Sequence, residues 1–391
     1  MGRARPSQFV RVAALLWLAA GLASRATAAD FVAEQATTAK LSRGVHSVWL
    51  HDLAGIGYTK ATLFDADSGR ALAQVDTGYL GMELELSRKT ARFFSAETYL
   101  SRGFRGTRTD VITTFDGETL LPTGEVEIPA KRMLGMPTSA HASLLDDERF
   151  LVAYNFSPAS TVSVVDLERG KFVGELEVAG CALVYPLGPR RFASLCGDGS
   201  LLELTLDDGG REAGRKVHKG LFDPNSDPLL EKAVRAEGAW LFVSFGGDVV
   251  PVEIAASGLA FGARWPLSDA GERAAGWRPG GVQPFALHAG SGRFYALMHQ
   301  GGKDTHKDPG QEVWVYDLAA KKRVQKIALG EIATSIAVSA DDAPLLYAAF
   351  IGAPALVVYD ARSGAKLRAI ENAASWPGLL QPILPRVAGA P

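Results

Sequence analysis

Four side chains packed into ten residues, His299, Asp304, His306 and Asp308, carry donor atoms that bind metal ions. Their spacing matches neither the ligand patterns of zinc sites nor the alternating oxygens of a calcium loop, so the segment reads better as a hydrophilic loop. Other chemistry-bearing signatures are missing from the sequence. It has no GxGxxG after a strand, no Walker phosphate loop, no HExxH, no GxSxG and no CxxC. Two cysteines remain, Cys181 and Cys196, separated by 14 residues. They could hold a metal or act as thiols, but no histidine or third cysteine stands close by. An even count in an exported chain favours a disulfide. The segment GCALVYPLGPRRFASLCGDG reads as strand, Pro-Leu-Gly-Pro turn, strand, which predicts the two cysteines on facing strands. In the chain-entropy picture a loop of that size contributes roughly 3 kcal/mol.

The elements that must position any such chemistry are announced by one recurring phrase. In VSVVDLERGKFVGELEV (162–178) a β-branched run ends in an acid, a polar turn with Gly170 reverses the chain, and a second alternating run leads away. That pattern is a β-hairpin. It returns as TLFDADSGRALAQV (62–75), VWVYDLAAKKRVQKIAL (313–329) and LVVYDARSGAKLRAI (356–370), and with a longer turn as ITTFDGETLLPTGEVEI (112–128). LELTLDDGGREAGRKV (202–217) and VVPVEIAASGLAFGARWPL (249–267) are fainter copies. Aligned on the acid, the repeats mark Asp65, Asp116, Asp166, Asp207, Glu253, Asp317 and Asp360, with steps of 51, 50, 41, 46, 64 and 43 residues. A period in the forties to fifties with β patterning throughout predicts an all-β, seven-bladed β-propeller. The acid itself is expected to bond backbone N–H groups in the turn.

The amino terminus is of another kind. Arg3, Arg5 and Arg11 precede an apolar stretch at residues 12–23, and Ala26-Thr27-Ala28 is a small-x-small cleavage site. Residues 1–28 therefore read as a secretory signal peptide, too short for a spanning helix. Residues 29–44 read as an N-terminal arm able to lie on a partner, and 45–391 as the propeller domain, with 371–391 supplying a closing strand and a tail. Without the signal the chain carries 37 Lys+Arg against 43 Asp+Glu, a net charge of about −6 with interspersed signs. Such a balance gives no footing for nucleic-acid binding, and no other stretch is long and apolar enough to span a membrane.

Several connections stand out. HDLAGIGYTK (51–60) is a glycine-rich link just before the first repeat. Arg102, Arg105 and Arg108 form a basic loop, and KRMLGMPTSAH (131–141) is a connection with room for a short helix. HKGLFDPNSDPLLEKAV (218–234) reads as a loop leading into a strand at 239–245. The 64-residue step holds two inserted loops, 268–284 and 299–312, the first with a helical turn to be capped by Ser268 or Asp269. Long loops on a rigid scaffold are where binding tends to reside.

RGTRTDVITTFDGETLLPTGEVEIP (105–129), NFSPASTVSVVDLERGKF (155–172), CGDGSL (196–201), GERAAGWRPGG (271–281), SIAVSADDAPLLYAAF (335–350) and VVYDARSGAKLRAI (357–370) resemble the heavy (large) subunit of methylamine dehydrogenase. The aromatic amine dehydrogenase large subunit is a more distant relative. The resemblance runs from about 45 to 370 and includes both cysteines. It implies a periplasmic tetramer of two heavy and two light chains. The light chain would carry tryptophan tryptophylquinone and the catalytic base, so that a primary amine becomes aldehyde and ammonia. Electrons would pass to a blue-copper protein of amicyanin or azurin type. The implied heavy chain is a seven-bladed propeller that seats the light chain and helps wall the substrate channel, with no cofactor or catalytic residue of its own.

One departure from that family stands at the link before the first repeat, where methylamine dehydrogenase heavy chains carry a channel phenylalanine. Here Gly55 falls at about that place, with Ile56 and Tyr58 as neighbours. The link is either a plain glycine-rich blade connection or a channel wall that has lost its bulky gate. Two other readings compete with the subunit assignment. One is a free-standing exported binding propeller. The other is a pyrroloquinoline quinone propeller, which expects tryptophan-docking repeats that this chain lacks.

Overall fold

The computed structural model describes residues 39–53, 57–81, 84–135, 137–255, 258–350 and 355–385. The predicted signal peptide and most of the predicted arm lie outside them. Seven antiparallel sheets follow one another along the chain, giving the expected seven-bladed β-propeller. Blade 1 is built from Ser47–Asp52, Tyr58–Asp65 and Ala71–Tyr79, completed on its inner side by Pro377–Pro382 from the far end of the chain. Blade 2 runs Leu84–Leu86, Arg92–Leu100, Arg108–Asp116 and Pro122–Ile128. Every repeat recognised in the sequence is the third and fourth strand of a blade, as with Thr161–Asp166 and Lys171–Glu177 in blade 3.

Burial explains the strand compositions. Second and third strands are packed on both faces by neighbouring blades, so Phe150–Asn155, Thr161–Asp166 and Leu345–Phe350 are buried at every position. A strand covered on both faces reads as a continuous apolar run. Fourth strands form the rim, and Pro122–Ile128 and Glu212–His218 are mostly exposed. The charges in EAGRKVH and KFVGELE discourage edge-to-edge pairing with other chains.

Six of the seven aligned acids cap their turns. Asp65 accepts from the Asp67 backbone N–H and Ser68 Oγ, Asp116 from the Glu118 and Thr119 N–H, and Asp166 from the Glu168 and Arg169 N–H. Asp207, Asp317 and Asp360 do the same. Glu253 does not. Its strand, Asp248–Ala255, continues past it, and Glu253 sits within the ladder between Ala239 and Ala260. The faint fifth repeat therefore aligns on a residue inside a strand. Three other expectations need correction. Connection 131–141 holds no helix among its described residues, only an isolated bridge from Arg132 to Asn155. The strand Cys181–Gly188 runs through Pro186, so its turn lies at residues 189–190 rather than over Pro-Leu-Gly-Pro. Segment 218–234, expected to be a loop, runs into a strand of its own, Leu229–Ala236.

The helical turn is present at Ala270–Ala274. Asp269 is its N-cap, accepting from the Glu272 N–H, while the Glu272 carboxylate accepts from the Asp269 N–H. Arg323 and Lys326 hold that carboxylate from the rim of blade 6, at 2.7 and 2.9 Å. Their hydrogen bonds, with Arg323 the larger influence, pull the Glu272 pKa down to about 2. At the described end of the arm, the Leu41 N–H donates to the Glu118 carbonyl and Lys40 pairs with the Glu118 carboxylate, so this part lies on blade 2 of its own chain.

Cys181 and Cys196 face each other across the first two strands of blade 4 and are joined in a disulfide. Breaking it with reductant, or by Cys181→Ser with Cys196→Ser, is expected to lower unfolding free energy by roughly 3 kcal/mol, read from urea midpoints. An unchanged midpoint would show that the hairpin alone holds the blade. His46 lies between Asp67 (2.8 Å) and Asp341 (3.1 Å) of blades 1 and 7. Burial pulls its pKa down, but hydrogen bonds and attraction to both carboxylates outweigh that and raise it above the usual 6.5. A raised folded value means the added stability is complete below about pH 6.5 and is lost as pH rises through the folded value. The stability gap between wild type and His46→Ala should therefore be widest near pH 5.5 and narrow on the alkaline side. A gap constant from pH 5.5 to 9 would refute this.

Candidate functional site

Strand parity sorts the loops into two ends. In each four-stranded antiparallel blade, the links between second and third strands and those leading to the next blade fall on one end; the turn acids fall on the other. The first end carries the link at 53–57, the basic loop 101–107, the connection 129–141, the disulfide, and both inserted loops. Exposed apolar side chains divide unequally between the ends. Tyr58, Tyr99, Phe104, Phe156 and Trp376 lie at this end, with Val217 and Ile332; Val45, Leu121, Val324, Leu367 and Leu384 lie at the turn end, and Phe261 stands mid-strand on the rim of blade 5, opposite Val252. Among the described residues, then, no exposed large aromatic sits at the turn end, and five of the six sit at the other.

At the junction of blades 1 and 2, three of these loops meet in an aromatic cluster. Tyr58 and Tyr79 are a cross-strand pair with ring centroids 6.0 Å apart, nearly perpendicular. Phe104 reaches over from the basic loop of blade 2 and stands 6.0 Å from Tyr58 and 6.4 Å from Tyr79. Tyr58 Oη donates to the Gly103 carbonyl at 3.1 Å, tying the loop down. Gly57 makes this approach possible, since a Cβ there would lie 3.0 Å from Phe104 Cε1. Phe104 is nonetheless 68% exposed, the largest value among the exposed apolar side chains.

Beneath the cluster, a buried ion network holds blade 2 against blade 1. Arg108 grips the fully buried Asp110 carboxylate with two donors, at 2.8 and 2.7 Å. Asp110 also accepts from Thr98 Oγ1 and from the Arg132 backbone N–H, both at 2.8 Å. The Arg132 guanidinium then donates to the carbonyls of Tyr79 and Leu80, across the blade boundary. Bidentate, charge-assisted geometry of this kind fixes position as well as adding energy. Gly78 completes the junction: its φ is +73 and a Cβ there would stand only 2.9 Å from the Thr98 carbonyl, so no side chain fits. Close by, burial pushes the Glu97 carboxyl up, against hydrogen bonds from Thr113 and Tyr99.

Of the expected channel residues, Tyr58 stands in this cluster, whereas Gly55 and Ile56 lie outside the described residues. Sequence reasoning missed Phe104, Tyr79 and the Arg108–Asp110–Arg132 network; the run of arginines in the basic loop was its only pointer to them. Asp110 beside Arg108 reads as an ordinary surface pair, because Arg132, whose backbone N–H also bonds it in the buried junction, is 22 residues away.

The histidine loop does not assemble a metal site. His299 is buried with Nε2 3.0 Å from Thr305 Oγ1, and His306 stacks on Phe245 at 3.7 Å. Burial lowers the pKa of both. Among the described residues, no group of three or more His, Cys, Asp or Glu is placed to hold a metal. Trp277 and Trp314 are in ring contact at 5.1 Å, and Trp314 is fully buried and covered by Arg323 and Lys326. Among the described residues, no helix is long and apolar enough to cross a membrane.

Comparison with solved structures places the ring among known propellers. The periplasmic gluconolactonase PpgL of Pseudomonas aeruginosa superposes with a TM-score of 0.61 at 15% identity, covering 87% of this chain and 99% of that one. A dihydro-heme d1 dehydrogenase, NirN, matches at TM-score 0.54 and 16% identity, over 87% of this chain and 66% of the other. At such identities the likeness concerns the fold alone. Sequence comparison goes further. The methylamine dehydrogenase heavy chain of Paracoccus versutus is 33% identical over 82% of this chain and 75% of its own length. That of Methylophilus methylotrophus is 31% identical over 81% and 78%. The family model for the methylamine dehydrogenase heavy chain matches residues 46–381, nearly the whole ring. On that match, which spans all seven blades, the chain belongs to the methylamine dehydrogenase heavy chain family.

Proposed function

We propose that this chain is the non-catalytic large subunit of a periplasmic amine dehydrogenase, and that its aromatic end seats the light subunit. The observation that carries this reading is the one-sided distribution of exposed aromatics, on the same end as the link 51–60 and both inserted loops. Aromatic side chains concentrated in one area are the usual anchors of a protein interface. The assembly is two heavy and two light chains. The light subunit carries tryptophan tryptophylquinone, which supplies the carbonyl on which a primary amine is oxidised to aldehyde and ammonia. Electrons leave to a blue-copper protein, amicyanin- or azurin-like. Residues 1–28 direct export and are removed.

This chain's own contribution is shape. It holds the light subunit on a rigid end, keeps water from the reacting centre, and walls the amine's approach with the link at 51–60. Gly55, Ile56 and Tyr58 form that wall, and glycine at position 55 leaves room for an amine bulkier than methylamine.

Co-expression with a short, cysteine-rich partner chain should yield a complex with a quinone absorption band, while the propeller purified alone should be colourless and inert. Amine oxidation by the single chain would overturn the assignment. In the reconstituted complex, Gly55→Phe should depress kcat/KM for longer amines relative to methylamine by about tenfold or more, the scale set by small steric changes in an apolar pocket. An unchanged ratio would remove Gly55 from the channel.

A further inference from the structure

Two seams between neighbouring blades match position by position, and one of them is empty where the other is filled. At the seam of blades 7 and 1, Tyr347 of Leu345–Phe350 lies opposite Val358, two residues before the turn acid Asp360. Its Oη donates to the His46 carbonyl at 3.1 Å, and the His46 ring fills the space between Asp67 and Asp341. At the seam of blades 6 and 7, Tyr295 of Arg293–Gln300 holds the same place, opposite Val315, two residues before the turn acid Asp317. Pro344 is the counterpart of His46: the Ala361 N–H donates to the Pro344 carbonyl as the Ala66 N–H donates to that of His46. Proline brings no side-chain donor, and a cavity of about 560 Å³ opens beside it. We propose that this cavity is a binding site for a small carboxylate anion, held by Arg293, Arg362 and the Tyr295 hydroxyl.

Three observations carry it. First, a buried donor has no partner in the protein. Tyr295 is only 2% exposed, yet its Oη bonds no group among the described residues and opens into the cavity. Burial pushes its pKa up to about 12, so at neutral pH it is a donor. Such a hydroxyl is costly to bury unless the contents of the cavity satisfy it. Second, the charge is inverted between the two seams. Two places after the turn acid stands Asp67 in one and Arg362 in the other, and the counterpart of Leu345 is Arg293. Arg293 and Arg362 line the cavity and no carboxylate does. The nearest acids are engaged in their own turns. Asp317 holds Arg293 at 2.6 Å and accepts from the Ala320 N–H, while Asp360 accepts from the Arg362 and Ser363 N–H. Arg362 also donates to the Asp342 carbonyl. A guanidinium has five N–H donors, so both arginines keep donors for a ligand. One seam sets an imidazolium between two acids; the other leaves space for an anion between two arginines. Third, the remaining walls suit an organic ion. Val315, Val324, Pro344 and Ala361 are apolar, and Gln325 adds an amide from the same cross-strand row as Tyr295 and Val315. A guanidinium pairs with a planar carboxylate through two parallel bonds, and the apolar walls cover a short hydrocarbon body.

The test is titration of the purified full chain with sodium propionate and sodium benzoate, followed by calorimetry and by the shift in Tm. Both should bind saturably at one site per chain and raise Tm. Tyr295→Phe, which removes only the hydroxyl, should weaken both by about tenfold or more, the scale of a hydrogen bond to a charged group. Its own Tm without ligand should not fall, because the lost hydroxyl bonds nothing in the protein. Arg362→Gln should weaken binding at least as much. Tyr347→Phe, which deletes the satisfied hydroxyl of the matching seam, should leave the affinity unchanged. Absence of saturable binding by either carboxylate at millimolar concentration would overturn the proposal. Binding undiminished in both Tyr295→Phe and Arg362→Gln would overturn it as well, since the anion would then sit elsewhere. Sodium sulfate binding as tightly as benzoate would remove the carboxylate assignment, and competition by propylammonium would remove the assigned charge.

Discussion

A propeller exists only if its two ends meet, and here one strand makes that closure. Pro377–Pro382, near the end of the chain, pairs with Ser47–Asp52, near its beginning. Without this strand, blade 1 would have an unpaired inner edge and the stacked faces of blades 1 and 7 would be open to water. The strand is bound by more than its ladder. Gln283 reads both backbone groups of Leu380, accepting from its N–H and donating to its carbonyl, as a neighbouring strand would. Gln381 does the same to Leu84 of blade 2. Ser335 donates to the Gly378 carbonyl, and the Asp52 carboxylate accepts from the Ser375 and Trp376 N–H groups. Two amide side chains thus carry the hydrogen bonding sideways, from blade 6 to the closing strand and on to blade 2.

The same seam shows how burial sets protonation. His51, fully buried beside the closing strand, has its pKa lowered to about 4 by burial, against a hydrogen bond to Gln381. As a neutral donor it orients the Gln381 amide, and that orientation lets the amide bond Leu84. His46 sits under two carboxylates and goes the other way. A neutral imidazole has a single N–H and cannot donate to both Asp67 and Asp341, so the observed arrangement belongs to the charged ring. Burial outweighs the single hydrogen bond at His51 and lowers its pKa, whereas two carboxylates outweigh burial at His46 and raise its pKa.

A closed ring of antiparallel blades separates two kinds of loop. The turns between third and fourth strands are short and self-satisfied, nearly all capped by their own acid. The other end receives both inserted loops, the disulfide and all the exposed aromatics but Phe261. Insertions there leave the ladders untouched, so that end can acquire shape for a partner without disturbing closure. The blade 1–2 junction illustrates the support this needs. The aromatic cluster rests on Asp110, whose burial is tolerable only because Arg108, Thr98 and the Arg132 N–H all satisfy it.

The blade repeat, its count, the turn acids, the cysteine pair and the family are all legible in the chain, because each is a local pattern or a long collinear match. Asp65-x-x-x-Gly69 and its copies stand out since a hairpin turn is satisfied within a few residues of itself. The reading slips where a pattern is ambiguous locally. Glu253 resembles a turn acid but sits two residues inside its strand, and Leu229–Ala236, interrupted by charged residues, does not look like a strand. That Phe104 covers Gly57, that Arg132 serves Asp110 and Tyr79 together, and that the turn end lacks exposed aromatics among the described residues are matters of tertiary arrangement alone. Those relations join residues tens to hundreds of positions apart. They are fixed by the parity of strands in a closed ring and by the packing of one blade on the next, neither of which leaves a periodic mark in the chain.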